Sequence, residues 1–164
     1  MIFKVLLLTF FAVNKLLILN YLLLITNIIG WVISLMYYYY VYTLGTNPTL
    51  CYYETGFIEI NCAKVAQSEA ARLFNLYGFE ISIPLLAVIW FTLKSILAIH
   101  YVAGRLKLID AILWLSITVT PLVPYLIYIE LFEVYAICTY CTFLQIFIII
   151  TLIIAIMLKR KLRF

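Results

Sequence analysis

The residues of this chain best equipped for chemistry are four cysteines: Cys51, Cys62, Cys138 and Cys141. Two of them form a CxxC, Cys138-Thr139-Tyr140-Cys141. A spacing of three puts both sulfurs on one helical face, where they can close on each other. At the start of a helix the unpaired N–H groups and the dipole favour a thiolate, and such a pair suits disulfide exchange. Glu130 and Glu133 lie close by and act in the opposite direction. Cys51 and Cys62 share one loop, and Asn61 reads as the N-cap of a short helix that Cys62 opens.

The elements that must position these sulfurs are apolar. Of 164 residues, 68% are hydrophobic and 11% charged, with mean hydropathy +1.18. A soluble domain is about half apolar and a quarter charged, so a soluble globular protein is excluded, and disorder with it. Long apolar runs, with few Gly and Pro to break them, argue against an outer-membrane barrel. The chain reads as an all-α integral membrane protein, a bundle of four transmembrane helices with an outer loop carrying a short amphipathic helix. Spans are predicted near 19–43, 81–100, 108–129 and 135–158. The four-helix unit is 19–158 with outer loop 44–79, and 159–164 is a basic tail. Residues 1–18 read as an interfacial segment or as part of the first span.

Charge orients the bundle. Lys4, Lys15, Arg105, Lys107, Lys159, Arg160, Lys161 and Arg163 fall on one side, against Lys64 and Arg72 on the other. The first side is therefore expected in the cytoplasm, with the C-terminus, and all four cysteines at the extracytoplasmic face. An even number of thiols on that oxidising side reads as disulfide chemistry. Lys94 is expected to snorkel toward the inner headgroups, and Asp110 to pair with Lys107 on a helical turn. Pro121 and Pro124 are expected to kink the third span, and Pro84 suits a first helical turn.

In the loop, Gly45-Thr46-Asn47-Pro48 is turn chemistry. The short helix is predicted from Cys62 to about Leu76, with Val65, Ala66, Ala70, Leu73 and Phe74 on an apolar face and Gly78 ending it. It reads as a lid carrying a thiol over the bundle. Tyr37, Tyr38, Tyr39, Tyr40 and Tyr42, with Tyr125, Tyr128, Tyr135 and Tyr140, form an aromatic belt. Some of these rings can also line a pocket for a flat ligand. His100, the sole histidine, reads as an interfacial side chain. Two structural disulfides or a four-thiolate metal site are the alternatives for the cysteines, although zinc usually takes two close-spaced pairs.

The stretch Asn61-Cys62-Ala63-Lys64-Val65-Ala66-Gln67-Ser68, then Gly78 and Ile83-Pro84, then the CxxC opening the last span, resembles the vitamin K epoxide reductase family over about residues 19–158. The resemblance implies a four-helix bundle holding a quinone beside the CxxC. It also implies one of two activities: recycling of vitamin K, or a DsbB-like role making disulfides for a thioredoxin-fold partner. Carried over, Cys141 is the sulfur nearest the quinone, Cys138 exchanges with the loop pair, and Cys51 and Cys62 relay electrons from the partner. Either loop cysteine can be the one that meets Cys138. Ser68 corresponds to a family serine near the quinone, and Tyr140 is placed there with it. Gln145 stands where animal members carry a pocket tyrosine, and it can donate to a quinone carbonyl.

With Gln145 at that position, and loop cysteines more widely spaced than the family's, the chain fits a microbial quinone-linked oxidase using ubiquinone, menaquinone or a related quinone. Its partner is expected to be a separate DsbA- or PDI-like protein, since no thioredoxin-like segment is visible. Nothing in this scheme needs a metal. Reduction of a quinone epoxide on the same scaffold, and a bundle merely locked by disulfides, are the other readings. In intact cells, an impermeant maleimide is expected to label Cys51 and Cys62 after mild reduction. Labelling only after lysis would place the loop in the cytosol and remove the orientation.

Overall fold

The computed structural model describes residues 2–48, 51–55, 58–68, 71–76 and 79–162. Ala70, Gly78 and residues 163–164 of the basic tail lie outside them. Four stretches are long and apolar enough to cross a membrane: Leu16–Thr43, Ile83–Val102, Leu108–Glu133 and Thr139–Leu162.

The first belongs to α1, one unbroken helix over Ile2–Tyr38 that includes residues 2–18. Its 37 residues rise about 55 Å at 1.5 Å each, more than the ~30 Å hydrocarbon core requires. At its C-terminal end the backbone widens into a π-type turn over Tyr39–Thr43, with the Leu44 amide donating to the Tyr39 carbonyl. The second span is α3, Ile83–Val102, with Pro84 in its first turn, where its missing N–H costs nothing. The third is broken at Pro121 into α4, Leu108–Val119, and α5, Leu122–Tyr128. Proline has no N–H to continue the ladder, and the Thr120 hydroxyl takes up the Ser116 carbonyl beside the break. A second π-type turn, Ile129–Glu133, ends this span, and the fourth is α6, Thr139–Leu162. The helix α1 packs on α3 and α6, and α4 packs on the same two. Gly30 lies under the Phe91 ring, so close that any Cβ there would overlap it, and this sets the α1–α3 approach.

The outer cap is mixed. Strand β1, Tyr52–Thr55, pairs antiparallel with β2, Ile58–Asn61, and β2 pairs in parallel with β5, Ala136–Ile137, just before α6. The loop helix predicted from Cys62 to Leu76 is shorter: α2 covers only Cys62–Gln67. Ser68 takes an extended conformation and turns its hydroxyl back on the Val65 carbonyl, which stops the helix. Leu73 and Phe74 belong instead to β3, Arg72–Leu76, in a hairpin with β4, Phe79–Ser82. The aromatic and branched residues of 72–82 favour that pleated pairing.

Two expected contacts are corrected. Lys94 does not snorkel. It is fully buried, donates to Ser116 Oγ at 2.9 Å and Thr151 Oγ1 at 2.7 Å, and sits 4.4 Å above the Trp90 ring. From the middle of α3 its stem cannot reach an interface, so α4 and α6 supply acceptors. Asp110 pairs with Lys159 at 2.7 Å, joining the start of α4 to the end of α6, and not with Lys107. Lys94→Met is expected to leave unfolding in detergent micelles unchanged or shifted to higher stability. Ser116→Ala with Thr151→Val, which strands the amine, is expected to cost about 2–3 kcal/mol. The opposite order would show that Lys94 is not held by these hydroxyls.

Candidate functional site

The site is built around the first turn of α6. Cys138 stands immediately before the helix, its carbonyl accepting the Thr142 amide at 2.9 Å. Its sulfur accepts the Cys141 N–H at 3.1 Å, so Cys138 caps the helix with Sγ as a serine would with its hydroxyl. The amide of Cys138 itself donates to Glu130 Oε2 at 3.3 Å, and Gln145 Nε2 donates to Glu130 Oε1 at 3.4 Å. Glu130 reaches this position through the π-type turn. Its extra residue brings Ile129 and Glu130 both inward, while Phe132 and Glu133 stay exposed. Tyr135, at φ 52°, then reverses the chain into β5.

The loop pair lies against this turn. Cys51 and Cys62 are joined by a disulfide, their Cα atoms 5.4 Å apart, and both are completely buried. Two asparagines cap α2: Asn61 Oδ1 accepts the Lys64 amide at 3.0 Å, as its sequence position predicts, and Asn47 Oδ1 accepts the Ala63 amide at 2.8 Å. Cys51, Cys62 and Cys138 share one buried cluster with Tyr37, Val41, Val65, Ala66, Ala136 and Tyr140, and Cys141 packs against it. Cys138 and Cys141 are free thiols.

Tyr37 joins the two pairs. Its hydroxyl donates to the Cys62 carbonyl at 3.2 Å and receives the Cys141 thiol at 3.5 Å, and its ring stacks on Tyr140 with centroids 5.8 Å apart. A second strap runs from the Tyr42 hydroxyl to the Ala66 carbonyl at 3.0 Å. The tyrosines therefore divide. Tyr39, Tyr42, Tyr125, Tyr128 and Tyr135 are exposed as a belt requires, whereas Tyr37 and Tyr140 are buried among the sulfurs.

Below α2 lies a cavity of about 330 Å³ with almost wholly apolar walls. Cys141, Gln145, Glu130 and Tyr37 are among its few polar lining residues, and Val65 and Ala66 roof it. Leu86 and Ile89 of α3, with Leu122 and Tyr125 of α5, line it and are also exposed on the bundle surface, so it opens between those helices toward the lipid. Of the residues expected at a ligand, Cys141 and Gln145 are in the wall. Tyr140 stands behind Tyr37, and Ser68 is occupied by the Val65 carbonyl; neither is among the lining residues. Glu130 was expected only near the thiols and Tyr37 only within the belt; both line the cavity. Placing the span's end at 129 put Glu130 in the outer loop, although an acid inside a span would have pointed to the site. Tyr37 was hidden in a run of tyrosines with no period to separate it.

One thiol of the CxxC, Cys141, thus lies in the wall of a lipid-open cavity, and the other, Cys138, is buried beside the disulfide-bonded pair under a capped loop. Residues 21–156 match the model of the vitamin K epoxide reductase family, and the chain belongs to that family. No curated protein matches the chain. Membership makes it a membrane oxidoreductase at the family level; the family's enzymes use quinones and generally work with thioredoxin-like partners. Tyr37→Phe keeps the stacked ring and removes the hydroxyl. Loss of this buried hydrogen bond to Cys62 is expected to cost about 1 kcal/mol in micelle unfolding and to speed release of the loop disulfide to external reductant. Unchanged values for both would show that the hydroxyl holds neither pair.

Proposed function

We propose that the chain is a membrane thiol:quinone oxidoreductase that makes disulfides in a separate thioredoxin-fold partner. Electrons pass through Cys51 and Cys62, then Cys138 and Cys141, to a membrane quinone. The observation that supports this reading is the division of the CxxC. Cys141 lies in the cavity wall, while Cys138 lies in the buried cluster of the loop disulfide. One sulfur faces the lipid-soluble reactant and the other faces the relay.

The relay runs by exchange through mixed disulfides. A thiolate of the partner attacks the Cys51–Cys62 bond, and the partner leaves oxidised. The reduced loop pair attacks a Cys138–Cys141 disulfide and reforms its own bond. The pairing in the structure, loop oxidised and CxxC reduced, corresponds to the stage after that transfer. A quinone held there would supply a two-electron sink for the Cys138 and Cys141 thiols, whose oxidation restores their disulfide. Gln145, whose Nε2 also donates to Glu130, would offer an N–H to a ring oxygen, and the apolar walls would hold the ring and exclude water. Tyr140 supports Tyr37 from behind, and Ser68 fixes the end of the roof helix. The centre faces the extracytoplasmic side, with the C-terminus in the cytoplasm.

Cys138→Ala with Cys141→Ala is expected to abolish quinone-dependent oxidation of a reduced thioredoxin-fold protein, with the Cys51–Cys62 bond still found by mass spectrometry. Persisting oxidation would remove the relay. Turnover of a quinone epoxide in place of the thioredoxin-fold protein would move the assignment to epoxide reduction.

A further inference from the structure

Glu130 is 5% exposed, and no ion pair joins it to a cation among the described residues. Its two oxygens face two N–H donors, one on Cys138 and one on Gln145. Protein groups therefore solvate the ionised carboxylate, and protonation leaves no unpaired positive charge behind. Among the described residues it is also the sole acid lining the cavity. An acid so placed needs a reason, because burying it without a cation is costly.

The two thiols supply that reason. Closing the CxxC breaks two S–H bonds and forms one S–S bond, and two electrons and two protons must end on the quinone as hydroquinone. Cys141 lines the cavity, so its proton has a direct path. Cys138 is completely buried and does not line it. The Cys138 proton needs a carrier that touches both sides. We propose that Glu130 is that carrier: its carboxylate takes the Cys138 proton as the disulfide closes and hands it to a quinone oxygen. This rests on the thiol:quinone reading above. Gln145 holds one carboxylate oxygen, and the backbone amide of Cys138, the residue whose thiol must lose its proton, holds the other.

The test uses the full chain in nanodiscs, with Glu130→Gln and Glu130→Asp. In a single turnover of the reduced CxxC with a short-chain ubiquinone, E130Q is expected to be slower by about 10²–10⁴-fold, the usual size of a proton-transfer contribution. E130D, which keeps a carboxyl, is expected to lie between E130Q and the parent. The Cys51–Cys62 disulfide is expected by mass spectrometry in both, with cooperative unfolding in micelles, which reports a folded centre. Redox-difference infrared spectra without quinone give an independent readout. A protonated-carboxyl stretch is expected to appear as the CxxC is oxidised electrochemically, and to be missing in E130Q. E130Q as fast as the parent, or a carboxyl band that persists in E130Q, would overturn the proposal. If the parent reduced no quinone, the functional reading would fail. The infrared band, measured without quinone, would still judge Glu130 as the acceptor of the thiol proton.

Discussion

A helix that begins inside an apolar bundle must find partners for its first N–H groups, because no water is there to serve them. Thr139–Leu162 begins in this way, and the outer half of the molecule is arranged around that need. The Cys138 amide is met by Glu130 and the Cys141 amide by the Cys138 sulfur. A carboxylate therefore has to be brought to the end of the third span. The π-type turn at Ile129–Glu133 and the reversal at Tyr135 bring it there. The same arrangement that satisfies the helix start sets a sulfur, an acid and an amide in one small volume.

The second constraint is set by the two sides on which the cysteines lie, one against a cavity open to lipid and one under a loop. A side opening between Ile83–Val102 and Leu122–Tyr128 admits apolar molecules. The roof, Cys62–Gln67, separates that cavity from the exterior and carries the second pair of sulfurs. It is held by few bonds: two asparagine caps and the hydroxyls of Tyr37 and Tyr42. Each is a single hydrogen bond, worth about 1 kcal/mol in net terms. A helix of six residues has little stability of its own, so the disulfide and these straps hold it in place. Such a roof can be loosened by reduction of its own disulfide without disturbing the spans beneath.

Much of this was legible in the residues. Four apolar runs, a CxxC at the start of the last one, Asn61 as a cap and Pro121 as a break all stand in the structure as read, because each rests on local chemistry. Three other readings required tertiary information. The Lys94 side chain is long enough to snorkel from near a helix end, and only the placement of Ser116 and Thr151 on neighbouring helices shows that it stays inside. The stretch after Ser68 carries apolar residues at helical spacing, but Arg72–Leu76 pairs with Phe79–Ser82 and the pairing wins. Glu130 and Glu133 look alike in sequence. A π-type turn, which adds one residue to the register, buries the first and exposes the second, and no hydropathy pattern encodes that turn.

The two halves of the bundle divide the work of holding it together. An empty void the size of the outer cavity would cost about 8 kcal/mol, taking ~24 cal/mol per Å3, and lipid or ligand atoms entering from the side reduce that cost. A half that contains a side-open cavity supplies less of the cohesion. More of it falls to the inner half, where Leu23, Ala98, Ile112, Ala155 and Leu158 are packed almost without exposure. Polar ties reinforce it: Tyr101 to Asn20 at 3.0 Å, Asp110 to Lys159, and Lys94 to the hydroxyls of two other helices. In a membrane, hydrophobicity alone does not choose one helix neighbour over another, because lipid is as good a partner. Buried polar contacts and the close Gly30–Phe91 approach make that choice. The ammonium near mid-span and the carboxyl at the outer end thus answer different problems. The first fixes which helices meet; the second lies where sulfur, amide and cavity converge, and there a proton has somewhere to go.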